Sequence, residues 1–166
     1  MKLFAPIFLA LSLALVLPGC KKKHGDEFAG IDGDFVTGTP LGDRIEGSNF
    51  FGDNVARGQY EPVYFSFDSY IVEPNERGKI EAIAAGQRGR SNTLIVAGFT
   101  DERGTEEYNR GLGERRALAV RESLIAAGMD PDLVQTVSFG EEMPADPGSG
   151  EAAWARNRRA EFGVVR

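Results

Sequence analysis

The sequence predicts an α/β fold in which helices lie on a β-sheet. Short runs rich in β-branched and aromatic residues alternate with stretches whose apolar residues recur every three or four positions. Glycine and proline, the strongest turn formers, separate these runs. The pattern begins near residue 61 and continues to residue 166, a length that suits one domain with one hydrophobic core.

Each predicted element has a local reason. Pro74 suits the first turn of a helix, and Ile80, Ile83 and Ala84 continue that helix as an apolar stripe. The run Thr93–Gly98 is apolar enough for a strand that is buried on both faces. In chain order the predicted elements are a strand at 62–67, a helix at 73–85, a strand at 93–98, a helix at 106–127, a strand at 133–139, a short helix at 151–157 and a strand at 159–165.

The N-terminus has the layout of a secretory signal. Lys2 precedes the apolar run Leu3–Leu17, which is short for a membrane span, and Cys20 follows directly after Gly19. This ending resembles a bacterial lipobox, which implies cleavage before Cys20 and lipidation of its thiol and new amine. The alternative is an ordinary signal peptide with a chance cysteine. Lys21 is not the aspartate that often marks inner-membrane retention, so the expected location is the outer membrane, lipid-anchored and facing the periplasm.

Residues 20–60 are predicted to be a lipidated cysteine and a flexible linker, because glycines and acids are scattered among few aliphatic residues. The cluster Asn49-Phe50-Phe51 is an exception that could dock on the domain, dock on a partner or have no role. The predicted organisation is therefore a signal peptide at 1–19, the linker at 20–60 and one domain at 61–166.

Composition excludes several classes of function. Cys20 and His24 are the only cysteine and histidine, so no internal disulfide, thiolate metal site, Cys–His or Ser–His centre is predicted. The formal charge is -6, and removing residues 1–19 takes away one lysine and no acid, which makes it -7. An acidic chain does not favour nucleic acid, so the basic run at 156–159 is interpreted as a pocket or strand-edge feature. No cofactor is expected.

The second predicted helix carries a polar stripe. Asn109, Leu112, Arg116 and Val120 are spaced three or four residues apart and share one face. The preceding turn can fold back and bring Asp101 near Arg116. Such a set suits a ligand with an ammonium, a carboxylate and an aliphatic stem, because an arginine binds a carboxylate bidentately. A structural salt bridge between Asp101 and Arg116, with Asn109 and Leu112 in packing roles, remains the alternative.

The run TDERGTEEYNRGLGERRALAV at 100–120 resembles the signature of the OmpA-like peptidoglycan-binding domain family, in its branch of peptidoglycan-associated lipoproteins (Pal). VYFSFDSY at 63–70 and SFGEEMPADPGSGEAAWARNRRAEF at 138–162 continue the resemblance. It implies a four-stranded mixed sheet with helices packed on one face. It also implies non-covalent binding of the peptidoglycan stem peptide through meso-diaminopimelate, whose side chain ends in an ammonium and a carboxylate on one carbon.

The resemblance implies which residues bind. Asp101, the acid of the T-D pair, and Arg116, the second arginine of E-R-R, would contact the diaminopimelate. Other residues of the motif would complete the site, and Arg158 or its neighbour Arg159 would line or support it. Alanine at Asp101 or Arg116 is expected to abolish wall binding and leave the fold intact. The predicted peptidoglycan-binding residues are Phe67, Asp68, Asp101, Arg103, Asn109, Leu112, Arg116 and Arg158.

Two positions depart from the family pattern. Phe99 stands where histidine or asparagine is common and is expected to change the pocket rim, whereas Trp154 replaces a tyrosine and is expected to keep its packing role. Glu102, Glu106 and Glu107 could serve a wall hydrolase as acid and base, but acids are favoured at a helix N-terminus, so no enzyme is predicted.

Two other binding roles are alternatives. A flagellar-stator type of protein carries the same domain, but it needs a membrane span with a buried carboxylate, and residues 3–17 contain no acid. The other role is a protein-interaction scaffold without wall binding, since members of the Pal branch also bind the periplasmic β-propeller TolB. The expected function is thus a tether between outer membrane and cell wall in a Tol-Pal-like system for envelope integrity and cell division.

Overall fold

The computed structural model describes residues 49–166. They form β1 (Val55–Arg57), β2 (Val63–Tyr64), α1 (Arg77–Gln87), β3 (Leu94–Phe99), α2 (Glu106–Ala126), a 3₁₀ turn (Pro131–Leu133), β4 (Val134–Gly140), α3 (Glu151–Asn157) and β5 (Arg159–Val165). Among these residues, no helix combines the length and the apolar character that crossing a membrane requires. The predicted signal peptide and Cys20 lie outside the described residues.

One mixed sheet holds all the strands. Its order is β1-β5-β3-β4, and β2 pairs with β5 as well. The β3–β4 pair is parallel, whereas β3 pairs with β5 antiparallel from Leu94↔Val164 to Gly98↔Ala160. The parallel pair is joined through α2, the crossover that parallel strands need. The predicted alternation of strands and helices, and with it the α/β fold class, is confirmed.

β3 is buried on both faces of the sheet, as its sequence predicts. Leu94 and Val96 point into the larger core cluster, which α1 and α2 cover with Ile83, Val120 and other apolar side chains. The alternate residues Ile95, Ala97 and Phe99 point to the opposite face. A second cluster forms there and contains Phe50, Val55, Ile95, Ala97 and Phe99. The helices α1 and α2 therefore pack on one face, and residues from the start of the described chain pack on the other.

The predicted linker extends too far along the chain. Residues 55–57 form β1 and pair with β5 at Val55↔Val165 and Arg57↔Gly163, which adds a fifth strand to the expected four. Phe50 is only 2% exposed and makes ring contacts with Phe99 and Phe139. The Asn49-Phe50-Phe51 cluster thus docks on the domain, because its phenylalanines cover apolar strand residues that the helices leave uncovered.

The first predicted strand, 62–67, is shorter in the structure. β2 comprises two residues, and Phe65 continues it with one hydrogen bond from its N–H to the carbonyl of Arg158. The chain then turns away from the sheet, and the carbonyls of Ser66 and Ser69 accept hydrogen bonds from Arg116. The bend after β2 therefore supplies carbonyl groups that bind the guanidinium of Arg116.

Both long helices follow their sequence signals, with one difference. α2 begins after Thr105, whose hydroxyl accepts a hydrogen bond from the N–H of Tyr108, as expected for an N-cap residue. α1 begins at Arg77, four residues after the predicted start, because residues 74–76 form a turn. In that turn the N–H of Glu76 bonds the carbonyl of Glu73.

A glycine pair sets the distance between α2 and the sheet. A Cβ atom placed on Gly98 of β3 would lie 1.9 Å from the carbonyl oxygen of Gly113 in α2. A Cβ atom on Gly113 would lie 3.0 Å from the carbonyl oxygen of Gly98 and 2.4 Å from Oγ of Ser138. Backbone therefore meets backbone at this crossing, and residues that follow β3 are held against the first turns of α2.

Phe50 is expected to contribute substantially to stability although it precedes the domain predicted from sequence. Phe50→Ala should lower the free energy of unfolding by about 3 kcal/mol, since it removes a buried aromatic side chain and leaves a cavity. Urea unfolding followed by the fluorescence of Trp154 measures the change. Ile71→Ala, at a side chain that is 64% exposed, is the matched control and should change stability by less than about 0.5 kcal/mol. Equal effects of the two substitutions would contradict the docking of Phe50.

Candidate functional site

A cavity of about 200 Å³ lies where β3 ends, between the turn that follows it, the bend after β2 and the first half of α2. Seven of the eight residues predicted from sequence line it, and Arg158 stands behind Asp101. Thr100, Gly104 and Tyr108 complete the wall. The lining residues are Phe67, Asp68, Thr100, Asp101, Arg103, Gly104, Tyr108, Asn109, Leu112 and Arg116.

Asp101 is buried between two arginines. Its carboxylate accepts hydrogen bonds from Nε and Nη2 of Arg103 at 3.1 and 2.7 Å, and from Nη1 of Arg158 at 3.3 Å. The main-chain N–H of Arg103 adds a fourth at 3.2 Å. Burial raises the pKa of Asp101, but the hydrogen bonds from Arg103 and Arg158 outweigh burial and hold the pKa below its usual value. Asp101 is therefore charged throughout the physiological range.

The other charged member of the predicted pair, Arg116, is fully buried on α2. Its Nε and Nη1 donate to the carbonyls of Ser69 and Phe99, both at 2.8 Å, and its Nη2 donates to Ser66 at 3.3 Å. Among the described residues no carboxylate lies within 4 Å of its guanidinium, so Asp101 and Arg116 share a cavity without forming a salt bridge. Burial lowers the pKa of Arg116 to about 10 although the nearby Asp101 charge raises it, so the side chain still carries a positive charge at neutral pH.

Arg103 is held between two aromatic rings. Its guanidinium carbon lies 4.0 Å from the ring centre of Phe67 and 4.1 Å from that of Trp154, within the range of cation–π attraction. The indole N–H of Trp154 donates to Glu102 at 2.9 Å. The hydrogen bond with Asp101 raises the pKa of Arg103 above its usual value. Trp154 thus keeps a packing role, and the group it packs against is a charged side chain of the cavity.

Arg158 supports the site from behind. Its side chain is buried and donates to the carbonyl of Phe65 at 3.0 Å and to Glu151 at 2.6 Å, in addition to Asp101. Its neighbour Arg159 points to the other face of the sheet, where its guanidinium lies 3.9 Å from the ring centre of Phe99. The structure therefore distinguishes the two arginines that the sequence left as alternatives.

The helical stripe predicted from sequence forms the floor of the cavity. Asn109 is buried, and its Nδ2 donates to the carbonyl of Arg103 at 3.2 Å and to the carboxylate of Glu141. Leu112, also buried, provides an apolar wall. Across the opening, Asp68 accepts a hydrogen bond from the hydroxyl of Tyr108 and has a left-handed backbone, with φ of 51°. Asn109 thus links the turn containing Arg103 to α2.

Thr100 and Tyr108 are cavity residues that the sequence reasoning missed. Oγ1 of Thr100 is buried and has no hydrogen-bond partner among residues 49–166. Its position beside Asp101 in the T-D pair was the available signal. Tyr108 lies one residue before Asn109, so its side chain leaves the predicted stripe and reaches the cavity from the adjacent side of α2.

The expectation that Phe99 changes the pocket rim is wrong. Its side chain is fully buried on the opposite face of the sheet and stacks on Phe139, with ring centres 5.4 Å apart and planes at 17°. The alternation of side chains along β3 explains this, since Phe99 follows Ala97 and Ile95 on that face. Only its carbonyl faces the site, where it accepts the hydrogen bond from Arg116.

The acidic residues near the turn have structural roles. Glu106 and Glu107 occupy the first turn of α2, where the helix dipole favours negative charge. Glu102 accepts hydrogen bonds from Ser149 and Trp154, both at 2.9 Å. Within the described part of the chain, no group of three or more His, Cys, Asp or Glu residues is arranged to hold a metal ion.

The pH dependence of stability should show the pairing of Asp101. Because its folded pKa lies below the unfolded value of 3.8, its contribution to stability is complete above that value and is lost as pH falls through the folded pKa. Urea unfolding at a series of pH values between 7 and 2.5 should therefore give a steeper loss of stability below pH 3.8 for the wild type than for Asp101→Asn. Identical slopes would show that Asp101 is not stabilised in its charged form.

Comparison with known proteins identifies relatives of the domain and of the longer chain. The OmpA family profile matches residues 64–158. The peptidoglycan-associated lipoprotein of Pseudomonas putida is 39% identical over 93% of this chain and 94% of its own length. The crystal structure of the peptidoglycan-associated lipoprotein from Burkholderia pseudomallei, at 41% identity, covers 63% of this chain and 87% of its own, with a TM-score of 0.59. The C-terminal domain of Helicobacter pylori MotB, at 25% identity, covers 64% and 84%, with the same TM-score.

Proposed function

Because this chain belongs to the OmpA family, and within it to the peptidoglycan-associated lipoproteins, we propose that its domain binds peptidoglycan without cleaving it. The family is structural and not enzymatic. The ligand proposed for the cavity is the meso-diaminopimelate side chain of the stem peptide.

One observation carries this proposal: a cavity of about 200 Å³ holds a buried carboxylate and a buried guanidinium that are not paired with each other. The cavity thus places opposite charges within reach of one ligand that bears both signs. Leu112 lines the same cavity and suits an aliphatic stem. The hydroxyl of Thr100, which has no hydrogen-bond partner within the part of the chain that the structure describes, adds a hydrogen-bonding group beside Asp101.

The anchor completes the proposed function. Acylation of Cys20 would hold the chain on the inner leaflet of the outer membrane, because each buried CH₂ contributes about 0.8 kcal/mol and two or more chains give stable attachment. Domain and anchor together would connect the outer membrane to the wall through reversible contacts, as part of a Tol-Pal-like system for envelope integrity and cell division. Mass spectrometry of the purified protein tests the anchor: a diacyl or triacyl cysteine supports it, and an unmodified N-terminus contradicts it.

Calorimetric titration tests wall binding. The full chain in detergent is titrated with the tripeptide L-Ala-γ-D-Glu-meso-diaminopimelate and with the same tripeptide ending in L-lysine, which lacks the distal carboxylate. Binding of the first at least tenfold tighter than the second is the expected result. Equal binding would contradict recognition of the zwitterion, and no binding of either would contradict the proposed function.

A second function, docking of a periplasmic protein of the TolB kind, is favoured by a groove elsewhere on the domain. The groove has a volume of about 620 Å³ and lies between α1, α2 and the loop before α1. Tyr70 and Ile71 on its edge are 42% and 64% exposed, and large exposed apolar groups that cluster are typical of protein contacts. Co-purification with TolB that is reduced by Ile71→Asp and unaffected by Met143→Asp would support this role. Equal capture of TolB by the wild type, Ile71→Asp and Met143→Asp would contradict it.

A further inference from the structure

Four donors occupy the acceptor positions of the Asp101 carboxylate. An ionised carboxylate offers about four lone-pair positions. Oδ1 accepts from the main-chain N–H and from Nε of Arg103, and Oδ2 accepts from Nη2 of Arg103 and Nη1 of Arg158. An ammonium group that binds this carboxylate must therefore displace one of the two guanidinium groups.

The two arginines differ in how firmly they are held. Arg158 is buried, with a side chain only 7% exposed, and it is fixed by the carbonyl of Phe65 and by Glu151. The side chain of Arg103 is 30% exposed. Apart from Asp101, it contacts the faces of Phe67 and Trp154, and its Nη2 lies 3.9 Å from the carboxylate of Glu151, whose side chain is 65% exposed. Arg103 is thus the guanidinium that a ligand can displace at lower cost.

The aromatic rings permit such a displacement. A cation above a ring is attracted by the whole face, so a guanidinium can slide and rotate in its own plane without losing the attraction. A hydrogen bond, in contrast, weakens steeply when its angle changes. Arg103 can therefore leave Asp101 while it stays between Phe67 and Trp154, and its freed N–H groups then face the cavity.

We propose that Arg103 is an exchangeable counter-ion and, through this, the residue that determines specificity for a zwitterion. The ammonium of the ligand replaces Arg103 at Asp101, and the released guanidinium binds the carboxylate of the same ligand. This inference rests on the proposed function of the cavity. The guanidinium of Arg116, with three of its five N–H groups donated to carbonyls, stays in place and contributes fixed positive charge.

The exchange explains how a monocation is rejected. A ligand with an ammonium alone breaks the close Asp101–Arg103 pair and leaves the guanidinium of Arg103 with only the exposed carboxylate of Glu151, 3.9 Å away. A ligand with both groups replaces that pair with two new ones. Discrimination thus arises partly because Arg103 competes with the ligand's ammonium for Asp101, and partly from direct contact with the ligand. Specificity of this kind includes a repulsive element.

The test uses three proteins and the two tripeptides already defined, one ending in meso-diaminopimelate and one in lysine. Arg103→Gln removes the internal competitor. Arg110→Gln is the matched control, because it removes one positive charge from an exposed arginine of α2 that pairs with Glu106 and Glu142 outside the cavity. Affinities are measured by calorimetry with the full chain in detergent, and circular dichroism of each variant establishes that it is folded.

Arg103→Gln is expected to bind the lysine tripeptide at least threefold tighter than the wild type and the diaminopimelate tripeptide at least tenfold weaker, so the preference disappears. Arg110→Gln should match the wild type with both. If Arg103→Gln weakens the binding of both tripeptides equally, or changes the affinity for neither, the proposed exchange is wrong. If the wild type binds neither tripeptide, the proposed function fails. In that case, a gain of lysine binding in Arg103→Gln still supports the competition, and no gain overturns it.

Discussion

Gly98→Ala is expected to destabilise the domain by about 4 kcal/mol or more, a loss that is exceptional for adding one methyl group. The new Cβ would lie 1.9 Å from the carbonyl oxygen of Gly113, and this atom belongs to helix backbone that no change of rotamer can move. Relief requires α2 to shift away from β3, which loosens the core that Val120 and Leu124 form with the sheet. Urea unfolding measures the loss.

Gly78→Ala is the matched control, because it makes the same chemical change at a site without steric conflict. Gly78 lies in α1, where a hypothetical Cβ would meet no atom within 4 Å apart from the adjacent helix backbone. Alanine there should stabilise the domain by about 0.5–1 kcal/mol through helix propensity. Opposite signs for the two substitutions are expected, and a loss at Gly98 below 1 kcal/mol would show that α2 and β3 do not meet at backbone contact.

Asp101→Asn is expected to weaken binding of the diaminopimelate tripeptide by about 10- to 150-fold, which corresponds to the roughly 1.5–3 kcal/mol of a hydrogen bond to a charged group. It should also lower the free energy of unfolding by about 1–3 kcal/mol, since the buried guanidinium of Arg158 keeps Glu151 but loses its second carboxylate partner. Calorimetry and urea unfolding give the two values separately. The sequence alone predicts lost binding with an intact fold, whereas the contacts of Asp101 predict that both ligand affinity and stability fall.

Asp146→Asn serves as the control for that experiment. Asp146 pairs with Arg156 through an exposed contact outside the cavity, and such pairs contribute about 0–1 kcal/mol. Its replacement should leave tripeptide binding unchanged and stability nearly so. If Asp101→Asn binds as tightly as Asp146→Asn, the cavity is not where the tripeptide binds.

Local patterns predicted most of the fold because each of these elements satisfies its own periodicity. The apolar run of β3 and the helix that carries the stripe of α2 lie within one residue of their predicted bounds. β1 could not be predicted in the same way. Val55–Arg57 has too few residues to show alternation, and its pairing with β5 joins residues about 110 positions apart in the chain.

The members of the site were easier to predict than their contacts. The spacing of Asn109, Leu112 and Arg116 on one helix was sufficient to place them together. The partners of Arg116 are main-chain carbonyls, and carbonyls are present at every residue, so no sequence pattern marks them. Asp101 is paired with Arg103, which is close in sequence, and with Arg158, which reaches it through the position of β5.

With Cys20 acylated as proposed, the place of Phe50 and β1 within the folded domain would limit how far the domain can stand from the membrane. With β1 and Phe50 part of the folded unit, only 28 residues, 21–48, separate the proposed acylated Cys20 from the first described residue. At no more than about 3.6 Å per residue, this segment spans at most about 100 Å, whatever its conformation. A linker that ran to residue 60 would allow about 40 Å more. A domain anchored in this way would meet only the wall layers that lie inside the shorter radius.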